Sequence, residues 1–224
     1  MKSLCVLSTM IYFAGLIGLL LFLTAEARIG NSSESAFCTE TKECLLYDLV
    51  CKTDSYEVRH YEAAKWVTTN EKSVVLEKAM YTAFMRVFKY INGSNSNGVN
   101  IDMTAPVIIK IDQTKKIWQS SVYTLSFLLP SEYQVDPPQP TDDKVYFTDL
   151  PDMNVYARTY GGYLMSFTNS YNSIQLKKQL DKVQATYIED SYYAVGYDSP
   201  KKMLHRHNEV WYVADGAPVC PSPF

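Results

Sequence analysis

Tyr56-Glu57-Val58-Arg59-His60-Tyr61 is the stretch from which the fold can be read. Strict alternation makes it a strand, with Tyr56, Val58 and His60 on one face and Glu57, Arg59 and Tyr61 on the other. Downstream, Val155-Tyr156-Ala157-Arg158-Thr159-Tyr160 partly repeats it, with Arg158 answering Arg59 and Tyr160 answering Tyr61 at the same spacing. The echo predicts a duplicated unit. Only the first copy carries a histidine; the second has Thr159.

From the hexapeptide towards the C-terminus, β-rich composition continues through Ala63–Thr69, so one strand is expected over 55–69. The pattern then turns helical over 71–91, where Leu76, Met80, Phe84, Val87, Phe88 and Ile91 recur at helical spacing. Asn70 is the expected N-cap, and Asn92-Gly93 the stop. Strands are expected over 101–111, with Pro106 forcing an edge position or a bulge, and over 118–129. After a proline-bearing loop (131–143) come strands at 144–149 and 153–168, a helix at 172–188, and strands at 191–198 and 208–214. The helix at 172–188 would show a stripe of Ile174, Leu176, Leu180, Val183 and Tyr187. Each half then runs strand, helix, strand, strand. Neither half can bury its sheet face alone, so the expected class is α+β: a curved sheet or distorted β-barrel of two similar halves with two flanking helices.

Towards the N-terminus, Lys2 precedes an uncharged apolar run, Leu4–Leu23, followed by Ala25-x-Ala27. Residues 1–27 read as a secretory signal peptide cut before Arg28. The alternative is an uncleaved anchor, since a run of about 20 residues spans a bilayer. After cleavage no stable membrane insertion is expected, and the protein would be extracellular. Cys5 leaves with the signal, and Cys38, Cys44, Cys51 and Cys220 remain. An even number in an oxidising compartment predicts two disulfides, with three pairings open. Asn31-Ser32-Ser33 and Asn92-Gly93-Ser94 are sequons in turn-rich sequence, which makes Asn31 and Asn92 glycosylation candidates. The expected organisation is a signal at 1–27, a cysteine-bearing extension at 28–53, the main domain at 54–215, and a tail at 216–224 with Cys220.

The net charge of −3 gives no electrostatic case for a nucleic-acid partner. No Ser-His-acid set, phosphate loop, His-Glu-x-x-His or Cys-x-x-Cys pattern is present, so the chain reads as a non-enzyme. Glu57 and Glu209 could line a cavity, but no nucleophile and base are selected. His205-x-His207 would put two imidazoles on one face of a strand. With Lys201, Lys202 and Arg206 around it, a solvated turn is the better reading.

Several segments together resemble the SOUL/heme-binding-protein family. They are Ser55–Tyr61, Lys65-Trp66-Val67, Met103-Thr104-Ala105-Pro106-Val107, Gly161-Gly162-Tyr163, Ala194–Pro200 and Asn208-Glu209-Val210-Trp211, in the family's order over about residues 54–215. The resemblance implies a barrel-like duplicated fold and a haem or other tetrapyrrole ligand. It implies that His60 is an axial ligand candidate for iron, because neutral imidazole binds haem iron well. It also implies that the porphyrin plane lies against the helix at 71–91, making Met80, Phe84, Val87 and Phe88 contact candidates and Lys89 a propionate partner. By spacing alone that stripe reads as core packing. Tyr81 stands where the family has a second basic residue. The expected function is a secreted tetrapyrrole carrier or scavenger. The alternatives are a module for another apolar ligand or a protein partner, or a hydrolase.

Overall fold

The computed structural model describes residues 27–114 and 119–220. The signal or anchor segment therefore lies outside the described residues, apart from Ala27. Eleven strands and two α-helices are described: β1 (Ile29–Asn31), β2 (Glu43–Leu45), β3 (Asp48–Lys52), β4 (Glu57–Tyr61), β5 (Ala64–Ser73), α1 (Leu76–Ile91), β6 (Val107–Asp112), β7 (Ser121–Leu128), β8 (Val145–Leu150), β9 (Met153–Tyr160), α2 (Ser166–Lys182), β10 (Ser191–Gly196) and β11 (Asn208–Val213). The class is α+β. β1 and β2 form a small ribbon, and the other nine strands form one antiparallel sheet in the order β3-β4-β9-β11-β10-β6-β7-β5-β8. The expected barrel is not closed: β3 and β8 are the two edges, and no ladder joins them among the described residues.

Alternation along each strand separates two faces. The inner face carries Tyr61, Trp66, Ile108, Leu128, Val155, Val195 and Trp211 into one shared core. The sheet curls around this core, and Cys38, Cys44 and Leu45 of the N-terminal segment pack into it. The outer face carries the helices. α1 packs on β5, β7 and β8, and α2 on β9 and β11. Beneath α1, Leu76, Ala83, Val87 and Tyr90 meet Val67, Ile109 and Phe127. Beneath α2, Leu176 and Leu180 meet Tyr156, Val210 and Tyr212. Burying one such large apolar side chain contributes about 1.5–3 kcal/mol, which is why the helices stay on the sheet.

The halves repeat as strand-strand-helix-strand-strand, from β4 to β7 and from β8 to β11. The expected single strand at 55–69 is two strands with a turn at Glu62-Ala63. The equivalent pairs are β4/β8, β5/β9, α1/α2, β6/β10 and β7/β11, and the sheet order reads symmetrically about the β6–β10 junction. Each half lends its first strand to the other: β4 pairs with β9, and β8 pairs with β5. The sequence echo therefore matched the wrong strands. Arg59 and Arg158 lie on neighbouring strands and opposite faces: Arg59 reaches Glu209 inside, while Arg158 bonds Asn172 of α2 outside.

Other boundaries moved for identifiable reasons. β5 runs on to Ser73 because its ladder with β7 extends to Ser73↔Ser121, so Asn70 is a strand residue and not a helix cap. α1 starts at Leu76 with Val75 at the N-cap and no side-chain cap, and it ends where Gly93 turns with φ +97°. α2 spans Ser166–Lys182 and not 172–188. It stops before Gln184, whose φ is +55°. Tyr187 is buried from a non-helical segment, and Ile174 faces solvent. Pro106 directly precedes β6, after a cis Ala105–Pro106 bond, so a central strand loses no ladder donor. The segment 28–53, expected as a cysteine-bearing extension, supplies β1, β2 and β3, and β3 joins the large sheet. Among the described residues, four cysteines pair as Cys38–Cys44 and Cys51–Cys220, which ties β3 to the C-terminal tail.

Candidate functional site

Three places on the molecule carry chemistry-bearing side chains. The first is the outer side of α1. Helical geometry puts Met80, Phe84 and Phe88 on one line. The helix turns Ala79, Ala83, Val87 and Tyr90 to the sheet, which leaves that line half in solvent. Phe88 is 38% exposed, and its ring stacks on Phe84 at 5.7 Å and 17°. Phe84 in turn sits edge-on to Phe127 of β7 at 5.0 Å. Val87 is fully buried beneath the row. Lys89 is exposed beside Phe88, and Tyr81 is exposed on the same helix.

His60 lies elsewhere. Its sheet neighbours are Asp48 on β3 and Asn154 on β9, and its Nε2 faces Asp152 Oδ2 at 3.3 Å in the β8–β9 turn. Asp152, with Leu150, Met153, Tyr193 and Val213, lines a cavity of about 310 Å³ at this end of the sheet. That volume is at the small end of ligand pockets. No described contact joins His60 to the α1 row. The structure thus groups Met80, Phe84 and Phe88 together and leaves His60 apart from them, beside Asp152.

The third place is inside the sheet, and its assembly could not be read from the sequence. Arg59 is 1% exposed and Glu209 0%. Arg59 Nη1 and Nη2 donate to the two oxygens of Glu209 at 2.9 and 3.0 Å, and Nε donates to Glu57 at 2.9 Å. Trp211 Nε1 donates to Glu209 at 2.6 Å, Tyr197 OH at 3.2 Å, and His207 Nε2 lies 2.6 Å from it. The N-terminal segment seals this cluster: the Arg59 guanidinium lies over the Tyr47 ring at 4.2 Å, and Phe37 stacks on His207 at 4.2 Å and 3°. Burial alone would raise the Glu209 carboxyl. The Arg59 guanidinium and the His207 contact overcome it and hold the group at about 2. Burial and the nearby carboxylate push the Tyr197 hydroxyl well up. Such a carboxylate is a poor proton acceptor near neutral pH. The cluster's geometry is that of a buried clasp between β4 and β11. Part of the signal was present: Arg59 shares a strand face with Tyr61, and Glu209 with Trp211.

His207 is therefore not part of a solvated turn, whereas His205 is exposed in the preceding loop with φ +52°. Among the described residues no group of three His, Cys, Asp or Glu side chains is placed to hold a metal. Both sequon asparagines are exposed. Asn31 Oδ1 accepts from the Ser33 N–H, and Asn92 Nδ2 donates to the Phe88 carbonyl at the end of α1.

The sequence profile described as SOUL heme-binding protein matches residues 42–213. Heme-binding protein 2 of Homo sapiens is 37% identical over 165 residues, covering 74% of this chain and 80% of that protein. Heme-binding protein 1 of Mus musculus is 33% identical over 159 residues, covering 71% and 84%. The chain belongs to the SOUL heme-binding protein family. Among solved structures, the EcmrR C-terminal domain matches with a TM-score of 0.55 at 10% identity, covering 77% of this chain and 99% of that one. At that identity the likeness is one of fold alone.

Proposed function

We propose that this chain is an extracellular carrier or scavenger of haem or a related tetrapyrrole. The observation that carries the reading is the half-exposed, stacked Phe84–Phe88 pair beside Met80 on α1, in a chain whose relatives are named heme-binding proteins. The residues fit the group. Met80, Phe84 and Phe88 would hold the apolar face of the macrocycle, Val87 would support the row from below, and Lys89 would meet a propionate. Carriage needs reversible holding and no bond-making by the protein. Secretion would follow from removal of residues 1–27, and the two disulfides suit an oxidising compartment.

A second placement is the cavity lined by Asp152, the carboxylate that His60 faces, with His60 as the iron ligand candidate. Titration of the purified chain with hemin, read at the Soret band, tests both. In the first placement, Phe84→Ala with Phe88→Ala weakens binding by about tenfold or more, since tenfold is only 1.4 kcal/mol and each ring buries more than that. His60→Ala then leaves the spectrum unchanged. In the second placement the outcomes are reversed. Absence of saturable binding at micromolar hemin would remove the tetrapyrrole reading and favour another apolar ligand. Secretion is tested separately, by whether released protein begins at Arg28.

A further inference from the structure

We propose that Asn92 carries an N-linked glycan whose first sugar packs on Phe88 and so limits access to the apolar row on α1. The inference rests on the secreted tetrapyrrole reading above and adds a control element to that same site. Asn92-Gly93-Ser94 is a sequon, and Asn92 and Ser94 are both exposed. The chain is firmly held here. The Asn92 N–H donates to the Phe88 and Lys89 carbonyls at 3.1 Å, and the Ser94 N–H to that of Lys89 at 3.0 Å. Gly93 makes the turn between them with φ +97°. Behind the turn, the buried Asn95 amide donates to the Tyr90 and Val99 carbonyls and accepts from the Asn97 and Val99 N–H groups. A glycan stem at Asn92 therefore has a fixed origin.

That origin lies against the proposed ligand surface. Asn92 is the next step of the i, i+4 series formed by Met80, Phe84 and Phe88. Side chains on a helix lean towards its N-terminus, which brings the Asn92 amide back over the turn that carries Phe88. The contact is present, with Nδ2 donating to the Phe88 carbonyl at 2.7 Å. In the transfer, Nδ2 bonds to the anomeric carbon of an oligosaccharide carried on a lipid pyrophosphate. The lipid pyrophosphate leaves, and one amide proton passes to a base of the transferring enzyme. One N–H stays on Nδ2 for the Phe88 carbonyl. The C–H face of the first sugar then packs on the half-exposed Phe88 ring, and the hydrophilic chain beyond it borders the exposed Lys89. Phe88 and Lys89 are groups the tetrapyrrole would use, so glycan and ligand compete for one end of α1. The other sequon provides the contrast. Asn31 lies at the end of β1, in the small ribbon, with its Oδ1 taken by the Ser33 N–H.

The test is expression of the full chain in a glycosylating animal cell line, with peptide mass mapping to read occupancy at Asn92. Hemin titration at the Soret band then compares the parent with two variants. Ser94→Ala removes the acceptor motif and keeps Asn92, whereas Ser94→Thr keeps both and controls for the altered side chain. A glycan at Asn92 is expected in the parent and in Ser94→Thr. Ser94→Ala is expected to bind hemin about three- to tenfold more tightly than either, the share of one half-exposed ring. Ser33→Ala, which removes the Asn31 motif, is expected to leave the affinity at the parent's value. An unoccupied Asn92, affinities of parent and Ser94→Ala within about twofold, or tighter binding by the glycosylated form overturns the inference and leaves the tetrapyrrole reading standing. Absence of saturable hemin binding by the unglycosylated Ser94→Ala chain overturns both.

Discussion

Replacing Glu209 by Gln removes one charge from the buried clasp and changes almost nothing in shape. The carboxyl sits at about 2 in the folded chain, held down by Arg59 and His207 against the effect of burial. An unfolded glutamate titrates near 4.3, and each unit of difference is about 1.4 kcal/mol, so the group contributes about 3 kcal/mol. Breaking one partner of a buried pair independently predicts roughly 3–5 kcal/mol. The lower end applies because Arg59 keeps Glu57 as a second partner. The sign follows from the lowered value. The contribution is fully present above about pH 4.3 and disappears as pH falls towards 2. Urea unfolding of both proteins across this range reads it directly. The gap between parent and Glu209→Gln is about 3 kcal/mol near pH 6 and closes on acidification. A gap under about 1 kcal/mol, or one of constant size at every pH, would refute the electrostatic account.

Replacing Cys51 and Cys220 by Ser frees a closure spanning 169 residues, and a loss of about 2–4 kcal/mol in the same unfolding assay is expected. Non-reducing peptide mapping should recover the Cys38–Cys44 and Cys51–Cys220 links; four free thiols would contradict them. Glu77 accepts both the Ser166 N–H and its hydroxyl at the start of α2, so Glu77→Ala should cost about 0.5–2 kcal/mol, as a lost helix cap does. Hydrogen exchange should show the loss as faster exchange in the first turn of α2. At Gly30 an added Cβ would meet Leu46 Cδ1 at 2.3 Å and Glu34 Oε1 at 2.8 Å. Gly30→Ala should therefore cost at most about 1–3 kcal/mol of stability through overpacking, read as a lower thermal midpoint, with the displacement confined to the N-terminal segment.

The hexapeptide's alternation was legible because a strand's period is fixed, and it placed Arg59 and Tyr61 on one face correctly. What it could not convey was distance along the chain. Arg59 and Glu209 are far apart in sequence, and a charged residue defaults to the surface until a partner is seen. The end of β5 was missed because ladder bonds to β7 hold the polar Asn70–Ser73 in place, and those bonds belong to tertiary structure. α2 was displaced because Phe167, Tyr171 and Ile174 are apolar yet exposed, which blurs the stripe that marks a buried face. On α1 the spacing of Met80, Phe84 and Phe88 was right. The buried line runs instead through Ala79 and Ala83, small residues that let the helix sit close to the sheet. The surroundings of His60 were not legible, since only the fold puts the β8–β9 turn beside it.

The exchange of first strands has a consequence for how the chain comes into being. During synthesis the N-terminal half emerges first, with one edge of β5 unpaired until β8 arrives and one edge of β4 unpaired until β9 does. Neither half is a finished folding unit, so the two halves must commit together. Long-range pairing of this kind is slow and leaves strand edges open in the interval. A chain cut in the loop between β7 and β8 would therefore yield two fragments that each need the other as a template. The duplication that made the sheet also removed the independence of its parts.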